Sequence, residues 1–125
     1  MSGTLRGVGL ALVEVPRFRA VLERRGDSFA ERVFSPGELA YSRGKKASWQ
    51  NLAARFAAKV AGRAALRPAL GRALPLAGLE VTRLRTGAPV LALTARAGVS
   101  ESLLFQLSLT HDGDFALASV WVESP

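Results

Sequence analysis

The sequence predicts an α+β layer fold. Three observations predict it: an alternating apolar segment near the N-terminus, a long helical segment in the middle, and a strand-rich C-terminal half that ends in a hairpin signal. The order of one strand, then helices, then an antiparallel meander is typical of this class. With 125 residues, the chain is expected to form a single domain, 1–125.

Residues 5–15 alternate loosely between apolar and polar side chains and predict the first strand. Pro16 follows at a position that suits the first residue of a helix. Gly26 closes the helical pattern, because glycine is the residue that most often follows a helix end. We therefore expect the first helix over 16–25.

A second start signal lies at Ser35, Pro36 and Glu38. A serine three residues before a glutamate forms a capping box, and proline is favoured at the first helical position. The signal predicts a short helix that ends near Tyr41 and assigns Glu38 a capping role. The segment Gly44-Lys45-Lys46 is expected to be a loop.

The longest helix is predicted over 48–66, with Ser48 as its N-cap and Pro68 as its stop. Apolar residues recur every four positions and predict a buried stripe, formed by Leu52, Phe56, Val60 and Ala64. Basic residues recur one position earlier and predict a cationic stripe, formed by Arg55, Lys59, Arg63 and Arg67. A charged stripe of this kind is commonly a solvated helix face.

The C-terminal half predicts four strands, over 79–84, 90–94, 102–110 and 115–122. The last two flank His111-Asp112-Gly113-Asp114, whose Asp-Gly pair is a strong hairpin signal. The sequence shows no internal repeat, low-complexity tract or linker.

The composition limits the classes of function. The chain has no cysteine, which excludes a disulfide framework, a thiolate zinc site and a cysteine nucleophile. No apolar run approaches the roughly 20 residues of a membrane helix, and no signal-peptide pattern is seen, so we expect a cytoplasmic protein without a membrane partner. The aromatic content is 7% and no nucleic-acid motif is found, which makes nucleic acid an unlikely partner.

The positive charge is concentrated in the middle of the chain. The formal net charge is +7, with 17 Lys and Arg against 10 Asp and Glu. No acidic residue occurs over 39–79, whereas eight basic residues fall within it: Arg43, Lys45, Lys46, Arg55, Lys59, Arg63, Arg67 and Arg72. A basic surface favours acidic partners, so this third of the chain is a candidate anion site.

Several motifs together resemble the holo-acyl-carrier-protein synthases. The segment 7–15, GVGLALVEV, is similar to the family pattern G-I-G-x-D-I-V-E-I, and 55–61, RFAAKVA, is similar to R-F-A-A-K-E-A. Weaker similarities cover 17–18, 29–39, 87–89 and 108–112, so the resemblance spans essentially the whole chain.

The resemblance implies a fold and an activity. It implies a short antiparallel sheet packed against one long helix plus shorter helices, and a homotrimer with active sites in the clefts between subunits. It implies transfer of the 4′-phosphopantetheine arm of coenzyme A to a serine of apo acyl carrier protein. Coenzyme A is thus the expected substrate and acyl carrier protein the expected partner, with magnesium as the metal of the family.

The resemblance also assigns residues. Arg55, Lys59, Arg63 and His111 match or adjoin positions that bind the coenzyme phosphates, and Lys59 and His111 are the expected catalytic pair. Arg17 and Arg32 match basic positions that receive the acidic carrier protein.

Three family positions are altered. Ala11 and Val60 replace the two magnesium carboxylates, and Ala64 replaces a second lysine. Glu14 cannot take the place of the strand carboxylate, because alternate strand residues point to opposite faces and Ala11 shares its face with Val13. We therefore expect no metal ligands in this protein and binding of anions by cations alone.

Two functions follow from this altered site. The first is an impaired or metal-independent phosphopantetheinyl transferase. The alternative is a non-catalytic homologue that binds coenzyme A or carrier protein as a scaffold or regulator.

Overall fold

A three-stranded antiparallel sheet joins the two ends of the chain. The computed structural model describes residues 3–44 and 48–125, so the predicted loop at Lys45 and Lys46 lies outside the described residues. The strand order is β1-β5-β4. Its strands are β1 (Thr4–Glu14), β4 (Leu104–Asp112) and β5 (Phe115–Ser124).

The predicted C-terminal meander is divided between two sheets. Strands β2 (Leu79–Arg83) and β3 (Pro89–Leu93) form a separate antiparallel pair. Strand β5 pairs with β4 on one side and with β1 on the other, so the first and fourth strands form the two edges of the sheet. The predicted hairpin between β4 and β5 is confirmed, with Gly113 at φ 56° in its turn.

Four helices lie between β1 and β2. They are α1 (Val15–Arg25), α2 (Asp27–Val33), α3 (Pro36–Arg43) and α4 (Ser48–Leu70). The capping box is confirmed, because the Ser35 hydroxyl accepts from Glu38 N and the Glu38 carboxylate accepts from Ser35 N. Helix α2 was not predicted. It is only seven residues long and has no side-chain cap, so it leaves little signal.

Helix α4 continues past its predicted end at Leu66, through the predicted stop Pro68, to Leu70. Proline lacks the N–H that would bond to the carbonyl of Ala64, but Ala64 lies on an exposed part of the helix where water can replace that donor. The helix ends instead at Gly71, which has φ 72° and donates its N–H to the Arg67 carbonyl.

Close packing against β1 fixes the position of α4. A Cβ added to Gly7 would overlap the backbone carbonyl of Ala65, and one added to Gly9 would overlap that of Ala61. Only glycine allows the strand to approach the helix backbone this closely. The facing helix surface is correspondingly made of small, fully buried residues: Ala57, Ala58, Ala61 and Ala65.

The predicted buried stripe of α4 is wrong in part. Leu52 is buried, but Phe56 and Val60 are half-buried and Ala64 is exposed. Two members of the predicted cationic stripe, Arg55 and Lys59, are buried instead. The prediction assumed a single buried face. In the structure α4 packs against the three-stranded sheet on one side and against α3 and β2 on another, so the basic residues are enclosed.

The opposite face of the three-stranded sheet is apolar and exposed. Within the described part of the chain, eight large apolar residues lie on it, each between 42% and 69% exposed: Leu5, Val8, Leu10, Leu12, Leu104, Phe115, Leu117 and Trp121. A patch of this kind marks an interaction surface in most proteins. No described helix is long and apolar enough to cross a membrane.

Candidate functional site

A buried ion pair joins three elements at the centre of the site. The Lys59 ammonium of α4 lies 2.6 Å from Glu38 Oε1 of α3, and both side chains are fully buried. Glu38 Oε2 accepts a hydrogen bond of 2.8 Å from the backbone N–H of Val81 in β2. The carboxylate therefore holds α3, α4 and β2 together while it also caps its own helix.

A second cluster lies beside this ion pair and contains two arginines. The guanidinium of Arg55 lies 4.2 Å from the centre of the Tyr41 ring, and that of Arg83 lies 5.3 Å from it. Cations favour the face of an aromatic ring because of its negative quadrupole. Tyr41 thus brings together basic side chains from α4 and β2.

Burial alters the proton affinity of the two buried basic residues of α4, Lys59 and Arg55. Desolvation lowers the pKa of Lys59, an effect that the nearby Glu38 carboxylate opposes. Desolvation also lowers the pKa of Arg55, and the positive charge of Arg83 lowers it further. Arg55 nevertheless stays charged at neutral pH, because a guanidinium titrates far above that range.

The two positions that the resemblance assigns to metal ligands lie on β1 and α4, two elements that pack against each other. Ala11 is half-buried on the face of β1 that packs against α4, and Val60 is half-buried on α4. Both side chains are alkyl groups without a donor atom. Among the described residues, no group of three His, Cys, Asp or Glu side chains could hold a metal ion. The residues present do not fit a magnesium site.

The remaining predicted coenzyme residues are dispersed. Arg63 is half-buried on α4, one turn after Lys59. His111 is exposed near the end of the edge strand β4, opposite Ala116 of β5. In the described part of the chain no hydrogen bond or ion pair links His111 to Arg55 or Lys59. The structure therefore brings Arg55 and Lys59 onto one face of α4, whereas His111 lies on the edge strand β4 of the three-stranded sheet.

The two predicted carrier-protein residues lie near an apolar groove. Arg17 of α1 lines a groove of about 320 Å³ whose walls include Phe18, Phe29 and Phe56. Arg32 is exposed on α2, three residues after Phe29 and therefore on the same side of that helix. Basic and apolar groups meet at this surface.

Three residues of the site were not identified from the sequence. Glu38 was assigned a cap alone, and Tyr41 and Arg83 were assigned no site role. The signal that could have revealed Glu38 is the absence of acids over 39–79, because a buried Lys59 needs a carboxylate from outside that interval. Nothing in the local sequence indicates that β2 would bring Arg83 to Tyr41.

The buried ion pair makes a prediction about stability. Glu38→Gln leaves the Lys59 ammonium buried without a carboxylate, so we expect the free energy of unfolding to fall by about 3–5 kcal/mol. Adding Lys59→Met removes the buried, unpaired ammonium and should recover most of the lost free energy of unfolding. Urea denaturation measures both variants.

The exposed pair Arg19 and Glu23, 3.5 Å apart, provides the control. Glu23→Gln should change the free energy of unfolding by less than about 1 kcal/mol. A Glu38→Gln variant as stable as this control, or a double variant less stable than the single one, would contradict the role given to the ion pair.

The comparisons with known proteins agree along the length of the chain. The family model of the 4′-phosphopantetheinyl transferase superfamily matches residues 7–120. The holo-[acyl-carrier-protein] synthase of Solibacter usitatus is 38% identical over 122 residues, which cover 94% of this chain and 98% of that protein.

Two solved structures show the same fold. The ACPS–CoA complex of Chronobacterium ammoniagenes has a TM-score of 0.80 and 32% identity, with 95% of this chain and 97% of that chain covered. The Bacillus anthracis holo-(acyl-carrier-protein) synthase in complex with CoA (3′,5′-ADP) has a TM-score of 0.76 and 28% identity, with 97% and 98% covered. The chain belongs to the 4′-phosphopantetheinyl transferase superfamily and, within it, to the holo-acyl-carrier-protein synthases.

Proposed function

We propose that this protein transfers the 4′-phosphopantetheine arm of coenzyme A to a serine of apo acyl carrier protein, at a rate limited by its altered metal positions. The observation that supports the activity is the family match over 7–120. We further propose that residues 1–125 act as a single domain in the cytoplasm.

The reaction requires stabilisation of negative charge on the phosphates and removal of the serine proton. The serine oxygen attacks a phosphoryl group, the bond within the diphosphate breaks, 3′,5′-adenosine diphosphate leaves, and the serine proton passes to solvent water. Negative charge develops on the phosphates, so preorganised cations must stabilise it. We assign this role to Arg55 and Arg63 of α4, with His111 as the group nearest to the adenosine and 3′-phosphate.

Lys59 requires a more specific assignment. The resemblance implies that Lys59 takes part in catalysis, and this stays a prediction. Its ammonium lies 2.6 Å from Glu38 Oε1 and is fully buried. This contact favours a positioning role, in which Lys59 fixes α4, the helix that carries Arg55, against α3. Direct contact of Lys59 with a phosphate requires that the ion pair open.

We propose that the protein is a homotrimer. The separation of His111 from Arg55 supports this, because clefts between subunits allow one chain's β4 to complete another chain's site. The exposed apolar face of the three-stranded sheet, defined above by its eight residues, is a surface suited to burial between subunits.

The trimer proposal predicts that charge on this face breaks the assembly. Leu10 is 69% exposed at its centre, so Leu10→Lys should convert the trimer to monomer. Leu84→Lys is the matched control, because Leu84 is 58% exposed but lies outside the three-stranded sheet. Light scattering measures the mass of each. A wild-type monomer, or a Leu10→Lys trimer, would contradict the proposal.

Docking of the carrier protein is assigned to the groove beside Arg17 and Arg32. The carrier protein presents acidic residues in the family, and the net charge of this chain is +7. The exposed arginines supply complementary charge, and the phenylalanine walls supply apolar contact. Arg17 is also within 3.9 Å of Glu14, an exposed pair that a stronger acidic partner can replace.

The replaced metal ligands underlie the proposed impairment. Magnesium prefers carboxylate oxygens, which Ala11 and Val60 do not provide. One lost electrostatic element in a preorganised site commonly costs about 10²–10³ in rate, and here two are absent. We therefore propose that coenzyme A binds through cations without metal and that transfer is slow.

The alternative is a non-catalytic homologue that binds coenzyme A or carrier protein as a scaffold or regulator. The observation that favours it is the same pair of alkyl side chains. The two functions differ in one result, which is whether the wild-type protein transfers any phosphopantetheine.

Restoring the carboxylates tests the proposed activity. The double variant Ala11→Asp with Val60→Glu should raise the transfer rate in magnesium by at least about 10², because it restores both charged ligands. The rate is measured by mass spectrometry of the carrier protein. Ser100→Asp with Ser102→Glu is the control, because it makes the same change in net charge at exposed positions.

The outcomes separate the two functions. Slow wild-type transfer that the restored pair accelerates supports an impaired transferase, and undetectable wild-type transfer supports the scaffold. Fast wild-type transfer that a chelator abolishes, with no gain from the restored pair, would contradict both.

A further inference from the structure

A cavity lies among the four helices and is separate from the site described above. Its volume is about 440 Å³, and residues of α1, α2, α3 and α4 line it. Glu38 and Tyr41 also lie on α3, but neither is part of its lining. The cavity shares no residue with the groove beside Arg17. None of the roles assigned above accounts for this cavity.

The buried part of the lining is mainly apolar. Three helices each contribute one leucine to it: Leu22, Leu39 and Leu52 are 6%, 8% and 9% exposed. The Trp49 ring of α4 adds an aromatic wall, and the small side chain of Ala30 leaves the space open. Ligand pockets commonly have volumes of about 300–1,000 Å³ and walls of this kind. Apolar cavities of about 150 Å³ bind benzene, so this one has room for two fused rings.

One polar group of the lining is buried without a partner. Ser42 of α3 is 2% exposed, and its Oγ forms no hydrogen bond with any residue that the structure describes. A buried hydroxyl without a partner is unfavourable, because it has lost its hydrogen bonds to water. A serine hydroxyl can both donate and accept. A molecule in the cavity that offers a donor or an acceptor would satisfy it.

The charged groups beside the cavity offset one another. Glu23 lies 3.5 Å from Arg19, whose guanidinium lies 5.2 Å from the centre of the Trp49 ring. Asp27 and Arg43 carry opposite charges, and neither forms an ion pair within the described ranges. Two acids are thus matched by two bases. An uncharged ligand is favoured, because an ion would be attracted by one pair of charges and repelled by the other.

We propose that this cavity binds an uncharged aromatic molecule of one or two rings, with one hydrogen-bonding group that reaches the Ser42 hydroxyl. The leucines and Trp49 contact the rings, and Ser42 fixes their orientation. No residue of the lining belongs to the proposed coenzyme or carrier-protein sites. Binding in the cavity is therefore independent of phosphopantetheine transfer, and its failure would leave the proposed function unaffected.

Indole and 1-methylindole test the hydrogen bond to Ser42. Indole has an N–H that can donate to Oγ, whereas 1-methylindole keeps the rings and lacks this donor. In Ser42→Ala, the ratio of the indole affinity to the 1-methylindole affinity should fall about 3- to 10-fold, measured by NMR titration. Ser28→Ala is the matched control, because Ser28 is an exposed serine of α2 outside the lining. It should keep the wild-type ratio.

A larger side chain at Ala30 tests the location. Ala30→Leu occupies part of the cavity and should weaken indole binding at least about tenfold. Ala40→Leu is its control, because Ala40 is an exposed alanine of α3 that does not line the cavity. Urea denaturation shows whether both variants fold. If Ala30→Leu does not fold, the affinity ratio in Ser42→Ala decides the result.

Three outcomes would overturn the proposal. The first is a wild-type protein that does not bind indole, because the cavity then holds only water. The second is a folded Ala30→Leu variant that binds indole as tightly as Ala40→Leu does. The third is an affinity ratio in Ser42→Ala equal to that in Ser28→Ala.

Discussion

The carboxylate of Glu38 is the group on which the arrangement of the site depends. It accepts the backbone N–H of Ser35 in the capping box of α3, neutralises the buried Lys59 of α4 and accepts the N–H of Val81 in β2. Each contact fixes a different element, so the relative positions of α3, α4 and β2 follow from one side chain. A buried carboxylate is costly unless its partners are all in place, and this favours a single arrangement of the three elements. The adjacent pair, Arg55 and Arg83, is positioned by the same packing and has no carboxylate.

Close backbone packing supports this arrangement from the other side of α4. Gly7 and Gly9 let β1 approach the backbone of α4 closely, and the buried residues of α4 at this contact are alanines. Helix α4 is consequently enclosed by the sheet on one side and by α3 and β2 on another. The same contact places Ala11 at the meeting of β1 and α4, where the family resemblance implies a carboxylate. Neither Ala11 nor Val60 carries a donor atom for a metal, and the buried basic residues Arg55 and Lys59 contact residues of α3.

The sequence was sufficient to predict the fold class, the capping box at Ser35 and the hairpin at Gly113, because each depends on local chemistry. The burial of Arg55 and Lys59 was not predictable from periodicity, which identifies one apolar face and cannot show that a helix is enclosed on two. The pairing of β1 with β5 joins residues over a hundred positions apart, and no local signal encodes it. The site residues were matched by resemblance, yet the contacts of Tyr41 and Arg83 required the three-dimensional arrangement.

We propose that positive side chains, without a metal ion, neutralise the phosphates of coenzyme A in this protein. The most direct measurement is calorimetric titration of coenzyme A into the wild-type protein, once in excess magnesium and once in chelator, at equal ionic strength so that screening is matched. We expect the same affinity in both solutions. Binding that is about tenfold tighter in magnesium, equivalent to about 1.4 kcal/mol, would contradict it, because the metal would then supply part of the site.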